Sequence, residues 1–150
     1  MSIGSRSKVW TREGLKPINI INEGDLVLTH QLRFRPVLHT FKEYYGGNII
    51  QIGKSKEHKY VLITPEHLVC SISHTHMLER WGSRSHHWRR AEELEIGTLV
   101  TCYHPTENKE EVSKITFIEN KEYKDYVYDL LVKDDFIYVT EICTVQGRNI

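Results

Sequence analysis

Residues 60–72 read Tyr60-Val61-Leu62-Ile63-Thr64-Pro65-Glu66-His67-Leu68-Val69-Cys70-Ser71-Ile72. Two runs rich in β-branched residues flank a Pro-containing tetrapeptide, the pattern of two strands joined by a tight turn. Working outward, the same signature recurs at 9–11, 26–29, 33–38, 48–52, 99–103, 112–118, 126–132 and 136–139. Turn-forming or charged clusters separate these runs, among them Asn22-Glu23-Gly24-Asp25, Gly46-Gly47-Asn48 and Lys133-Asp134-Asp135. Short strands punctuated this regularly predict an all-β domain. Two short helical pieces are expected as well. One covers 16–21, with Pro17 near its start and Gly24 beyond its end; the other covers 88–94 and ends before Gly97.

The 150 residues carry 20 Lys plus Arg against 20 Asp plus Glu, a formal net charge of zero. One domain spanning 1–150 is expected, since a chain of this length buries roughly 70% of its unfolded surface. A balanced charge removes the electrostatic argument for a nucleic-acid or anionic-membrane partner. Three scattered cysteines (Cys70, Cys102, Cys143) with no CxxC spacing make no disulfide framework and read as reduced thiols. With no signal peptide and no long apolar run, the chain is expected to be cytoplasmic and off the membrane.

Four separated segments become informative together. They are Val9-Trp10-Thr11-Arg12-Glu13-Gly14-Leu15-Lys16-Pro17-Ile18 followed by Gly24-Asp25-Leu26-Val27-Leu28-Thr29; Thr64-Pro65-Glu66-His67; Arg90-Ala91-Glu92-Glu93-Leu94-Glu95-Ile96-Gly97; and Val127-Tyr128-Asp129-Leu130-Leu131-Val132. Their order and spacing resemble the Hint domain, the self-processing domain of inteins and of hedgehog-type proteins, over nearly the whole chain. The resemblance implies an all-β horseshoe of short antiparallel strands with one or two short helices, whose two ends meet at a central active site. It also implies a protein that excises itself and joins its flanking segments. The polar stretch 104–111 stands where larger members carry an endonuclease, so a mini-intein or two fused split-intein halves are expected, with a body of 2–149.

The chemistry that the resemblance implies needs particular groups. A hydroxyl or thiol at the first residue attacks the preceding carbonyl; counting back from Gly14 lands on Ser2, where the family usually has Cys. A Ser hydroxyl has a much higher pKa and needs activation. Met1 alone precedes it, leaving almost nothing to release, so a trapped or impaired precursor is expected. His67 is expected to protonate the leaving amide nitrogen, with Thr64 hydrogen-bonding near the carbonyl. Asp129 is expected to shuttle protons between the two ends. Asn149 is the candidate for the cyclising C-terminal residue, yet Arg148 precedes it where the family has His, and Ile150 follows it where the family has Cys, Ser or Thr. Arginine stays protonated and cannot exchange a proton usefully. An ungapped alignment from Tyr138 instead puts Gln146 and Gly147 in the His and Asn positions. Phe136 likewise replaces a usual His.

Competing signals are weaker. His74, His76, His86 and His87 invite a zinc site, but their spacing is loose, adjacent histidines diverge on an extended chain and no Cys joins them, so no metal or cofactor is expected. The basic, Trp-flanked stretch 81–90 reads as a surface hairpin in preference to a base-stacking platform. The expected partners are the chain's own flanking segments, or a complementary half if the natural form is split, on a monomer. The alternatives are a hedgehog-type or bacterial intein-like domain that cleaves only its N-terminal side, and a binding module of the same fold without catalysis.

Overall fold

The computed structural model describes residues 1–72 and 86–149. Within them the chain forms β1 (Ile3–Gly4), β2 (Lys8–Thr11), β3 (Gly14–Pro17), β4 (Leu26–Leu28), β5 (Phe34–Ser55), β6 (Lys59–Ile63) and β7 (Leu68–Ile72). There follow β8 (His86–Arg90), β9 (Leu99–His104), β10 (Lys109–Lys114), β11 (Phe117–Val132), β12 (Ile137–Val139) and β13 (Thr144–Gln146). All assigned pairings between these strands are antiparallel.

The longest strand governs the shape. At ~3.3 Å per residue a straight 22-residue β5 would reach roughly 70 Å, so it must bend and serve several neighbours. Its start pairs β4, its middle pairs β11 and its end pairs β6. Tyr123 and Lys124 of β11 face Gly47 and Gly46, so the strand runs straight through the Gly-Gly-Asn cluster expected to end it. β11 bonds β1 as well as β5, and both of those bond β6, so four strands close on one another. A second sheet runs β10-β9-β7-β13-β12, with β8 on β7.

The side chains enclosed by these strands form one core, including Ile3, Val9, Ile52, Val61, Ile63, Val69, Leu130, Tyr138 and Val145. β1 wedges against β6 because Gly4 has no Cβ; one built there would lie 2.7 Å from Leu62 Cβ.

Both expected helices shrink to single 3-10 turns, Ile18–Ile20 and Ala91–Glu93. Lys16 and Pro17 are taken by the β2–β3 ladder, and Trp88 to Arg90 by the β7–β8 ladder, so strand pairing overrides local helix preference. The polar stretch 104–111 is mostly hairpin: His104 pairs Lys109, and only 105–108 form the turn. All three cysteines are free. His74 and His76 lie outside the described residues; His86 meets Glu110 at 3.0 Å, and no cluster of metal ligands forms among the described residues. Much of the stretch 81–90 also lies outside them. No helix among them is long and apolar enough to cross a membrane.

Candidate active site

β1 carries the site because it has a neighbour on each edge. On the β6 side, Ile3 pairs Ile63, and the next residues out, Ser2 and Thr64, are hydrogen-bonded. The Ser2 amide N–H donates to Thr64 Oγ1 at 2.9 Å, and the Thr64 N–H donates to the Ser2 carbonyl at 3.0 Å. The Thr64 hydroxyl lies 3.1 Å from both Ser2 O and Glu66 Oε1, so its single proton serves one of them at a time. Thr64 therefore meets the nitrogen of the Met1–Ser2 bond, whereas the sequence suggested the carbonyl. The Glu66 carboxylate also pairs with the Met1 amine at 3.0 Å.

On the β11 side, Ile3 pairs Tyr128 and Gly4 pairs Val127. Carrying that register one residue further sets Ser2 opposite Asp129, on the same sheet face, where cross-strand Cβ atoms lie about 5 Å apart. Asp129 in turn faces Phe41 of β5. Thr64, Ser2, Asp129 and Phe41 thus form one row across four strands.

Asp129 is fully buried. Its Oδ1 accepts from the Leu130 N–H and the Tyr138 hydroxyl, each at 2.9 Å, and its Oδ2 accepts from Arg148 Nε at 3.2 Å. Burial pushes the carboxyl up to about 6, against these donors, which favour the charged form. The Arg148 guanidinium sits 4.6 Å over the Phe41 ring. Ser2, Phe41, Glu43, Val127 and Arg148 line a cavity of about 100 Å³, so both ends of the described chain reach one small space.

His67 closes the arrangement from the other sheet. It follows the Thr64 turn, its N–H bonded to the Thr64 carbonyl, and its side chain is fully buried. Nε2 lies 2.5 Å from the Gln146 carbonyl. A carbonyl only accepts, so Nε2 carries the proton, and Nδ1 is left buried without a hydrogen-bond partner. Burial pulls the imidazole pKa down to about 4, so the ring is neutral near pH 7.

The C-terminal segment is asymmetric to this. The Gly147 N–H donates to Phe136 O, and the Arg148 N–H to Leu130 O. A Cβ at 147 would lie 2.5 Å from Leu130 O, so no side chain fits there and 147 cannot hold a cyclising Asn. Asn149 is exposed. Ile150 lies outside the described residues.

No family model matches the chain. A 59-residue stretch is 42% identical to the Methanocaldococcus jannaschii protein MJ0043, described as uncharacterized, covering 39% of this chain and 8% of that protein. Among solved structures, the PabCDC21-1 intein superposes with a TM-score of 0.76 at 15% identity, covering 98% of each chain. The gp41-1 intein gives 0.67 at 20% identity, over 97% of this chain and 98% of that one. A bacterial intein-like domain from Clostridium thermocellum gives 0.70 at 15%, over 98% of each. The chain has the Hint fold of inteins.

Within the Hint frame, Ser2, Thr64, His67 and Asp129 all come to the junction of the two sheets, while Asn149 stays outside it. Sequence reasoning missed Tyr138 and the Phe41 platform as partners of Asp129. It took Arg148 only as a lost His. The signal available was charge: a carboxylate and a guanidinium, each odd in its own apolar or terminal context, satisfy one another. None of the cysteines is primed as a nucleophile, because burial pushes Cys143 up to about 12, Cys102 up to about 11, and Cys70 in the same direction.

Proposed function

We propose that this chain is an intein-type splicing domain whose N-terminal half is competent and whose C-terminal half is impaired. The observation that carries the reading is the convergence of Ser2 and Arg148 on one cavity, beside buried Thr64, His67 and Asp129. In this reading Ser2 Oγ attacks the carbonyl carbon of the preceding residue. A C–O bond forms, Asp129 takes the hydroxyl proton, and the C–N bond breaks as His67 delivers a proton to the Ser2 nitrogen. Atoms and protons balance, and an amide becomes an ester. Thr64 holds the departing nitrogen in place. Because neutral His67 has its proton on Nε2, it must load Nδ1 before it can give; its depressed pKa makes the loaded ring a strong acid.

The second half would need transesterification to a following hydroxyl or thiol, then attack by the Asn149 amide on its own carbonyl. Arg148 cannot relay a proton there, and Asn149 sits exposed. The partners are the segments flanking the domain, with the 105–108 turn as the place for a split or an insertion.

The reading is tested with a folded reporter fused ahead of Ser2. Hydroxylamine, which cleaves esters, should release the reporter from the unaltered domain and not from Ser2→Ala. Equal release from both, or none from either, overturns it.

A further inference from the structure

Ser2 and Arg148 are two of this chain's departures from the pattern it resembles, and the fold brings them to the same cavity. They are answers to one problem. A serine hydroxyl is a weak nucleophile without a base, and the nearest base by register is Asp129. A buried carboxylate resists ionisation, so a base of this kind needs a fixed positive charge beside it.

Arg148 has the geometry to supply it. Its Nε is 3.2 Å from Oδ2, its guanidinium lies over Phe41, and its backbone is tied to Leu130 O at 2.9 Å. Position 148 is thereby fixed from both main chain and side chain. The opposite oxygen, Oδ1, already accepts from Leu130 and Tyr138, so an incoming proton goes to Oδ2, the oxygen that Arg148 holds.

We propose that Arg148 is a positioning residue: clamped between Phe41 and Asp129 Oδ2, it keeps the carboxylate ionised and aimed at Ser2 as the acceptor of the hydroxyl proton. This rests on the self-processing reading. It makes the loss of the usual His a trade, in which the N-terminal acyl shift gains a base and the C-terminal step loses its relay.

The groups facing Asp129 are Tyr138 from β12, Arg148 from the C-terminal segment and the N-terminal amine ahead of β1; Glu43 of β5 lines the cavity that Arg148 borders, while Lys42 lies on the opposite sheet face, over the Tyr126 ring. An Arg148→Met variant keeps the packing over Phe41, removes the charge and leaves Tyr138 in place; the terminal amine becomes a neutral amide in every reporter fusion alike, so it cancels in the comparison. Two measurements separate the questions. The first is the carbon-13 titration of the Asp129 carboxyl, identified by its loss in Asp129→Asn. The second is the pH profile of hydroxylamine-dependent reporter release.

An opposite charge at this distance lowers a carboxyl by about one unit or more, so the Asp129 midpoint should rise by about one pH unit or more in Arg148→Met. Arg148→Lys should recover at least about half of that shift, being charged but unable to match the guanidinium geometry. The release profile should move the same way, with the rate near pH 6 falling about fivefold for a one-unit displacement and about tenfold well below it. A midpoint and a profile that both stay put in Arg148→Met overturn the role of Arg148 while release by the unaltered domain keeps the splicing reading. A shifted midpoint with no release from any variant overturns the splicing reading and leaves the electrostatic clamp standing. A shifted midpoint with an unmoved profile overturns Asp129 as the acceptor.

Discussion

The two ends of the chain meet the same cavity with opposite preparation. At the N-terminal end, the polar groups of the Met1–Ser2 junction are held: the amide and the Ser2 carbonyl on buried Thr64, and the terminal amine on the exposed Glu66 carboxylate. At the C-terminal end the backbone is held tightly through 148, and then the chain turns outward with Asn149 exposed. Tight anchoring is common to both. What differs is which groups the anchoring delivers to the cavity, a nucleophile in one case and a fixed cation in the other. Position alone, therefore, does not make a reactive junction.

The sharpest way to break this contrast is His67→Ala, which removes the ring that touches the C-terminal strand at Gln146 and leaves the Thr64–Ser2 contact intact. Hydroxylamine-dependent release of an N-terminal reporter should slow by about 10²–10⁴-fold. A rate within about threefold of the unaltered domain would mean that the junction reacts without the acid assigned to it.

The next effect is on stability and carries a sign. The folded pKa of Asp129, about 6, lies above its ordinary value. Its contribution is therefore stabilising below the unfolded pKa and is lost as pH rises through 6, so the ionised carboxylate costs stability at neutral pH. His67 runs the other way: its folded pKa, about 4, lies below the unfolded value, and stability is lost as pH falls from about 6.5 towards 4. Asp129→Asn leaves only the second slope. Urea unfolding should show the variant gaining on the unaltered protein between pH 5 and pH 8 by roughly 1–1.5 kcal/mol, on top of a pH-independent loss from an unpartnered Arg148. An advantage that shrinks with rising pH would contradict the burial of a charge-bearing Asp129.

A third variant tests the anchoring that the ends share. Gly147→Ala puts a methyl 2.5 Å from Leu130 O and 3.2 Å from Phe136 O. Backbone cannot yield as a flexible side chain does, so a loss of about 1–3 kcal/mol is expected in the same unfolding assay. A loss below about 0.5 kcal/mol would show the C-terminal segment to be loosely held.

Much of this frame was legible in the sequence, and the reasons are local. The turn at 64–67 lies between two unambiguous strand runs, so His67 and Thr64 are fixed by the chain within a few residues of them. Asp129 declares itself as a carboxylate within an apolar run. The unforeseen features are long-range. β1 is two residues long and exists because β6 and β11 leave a slot that Gly4 can enter. β5 continues through Gly46 and Gly47 because β11 pairs them, which no local propensity encodes. The helices expected at 16–21 and 88–94 lost to ladder partners distant in sequence. Tyr138 and Arg148 matter through Asp129, nine and nineteen residues away, and a contact of that kind becomes visible only when strands are placed.

The smallest effect expected concerns the end that the structure leaves unprepared. Cyclisation of Asn149 asks for a group at 148 that can give and take a proton near the carbonyl of 149, and an always-charged guanidinium does neither. Arg148→His supplies an imidazole with a pKa near neutrality on a backbone already pinned to Leu130. With a reporter appended beyond Ile150, mass spectrometry should detect release with a C-terminal succinimide on the domain, at a rate about tenfold above the unaltered protein. The gain stays small because Asn149 faces solvent, and the same substitution frees Asp129 from its cation. N-terminal release near pH 6 should therefore fall in the variant that gains C-terminal release. If both releases rise together, the two ends do not compete for the residue at 148, and the asymmetry between them has another cause.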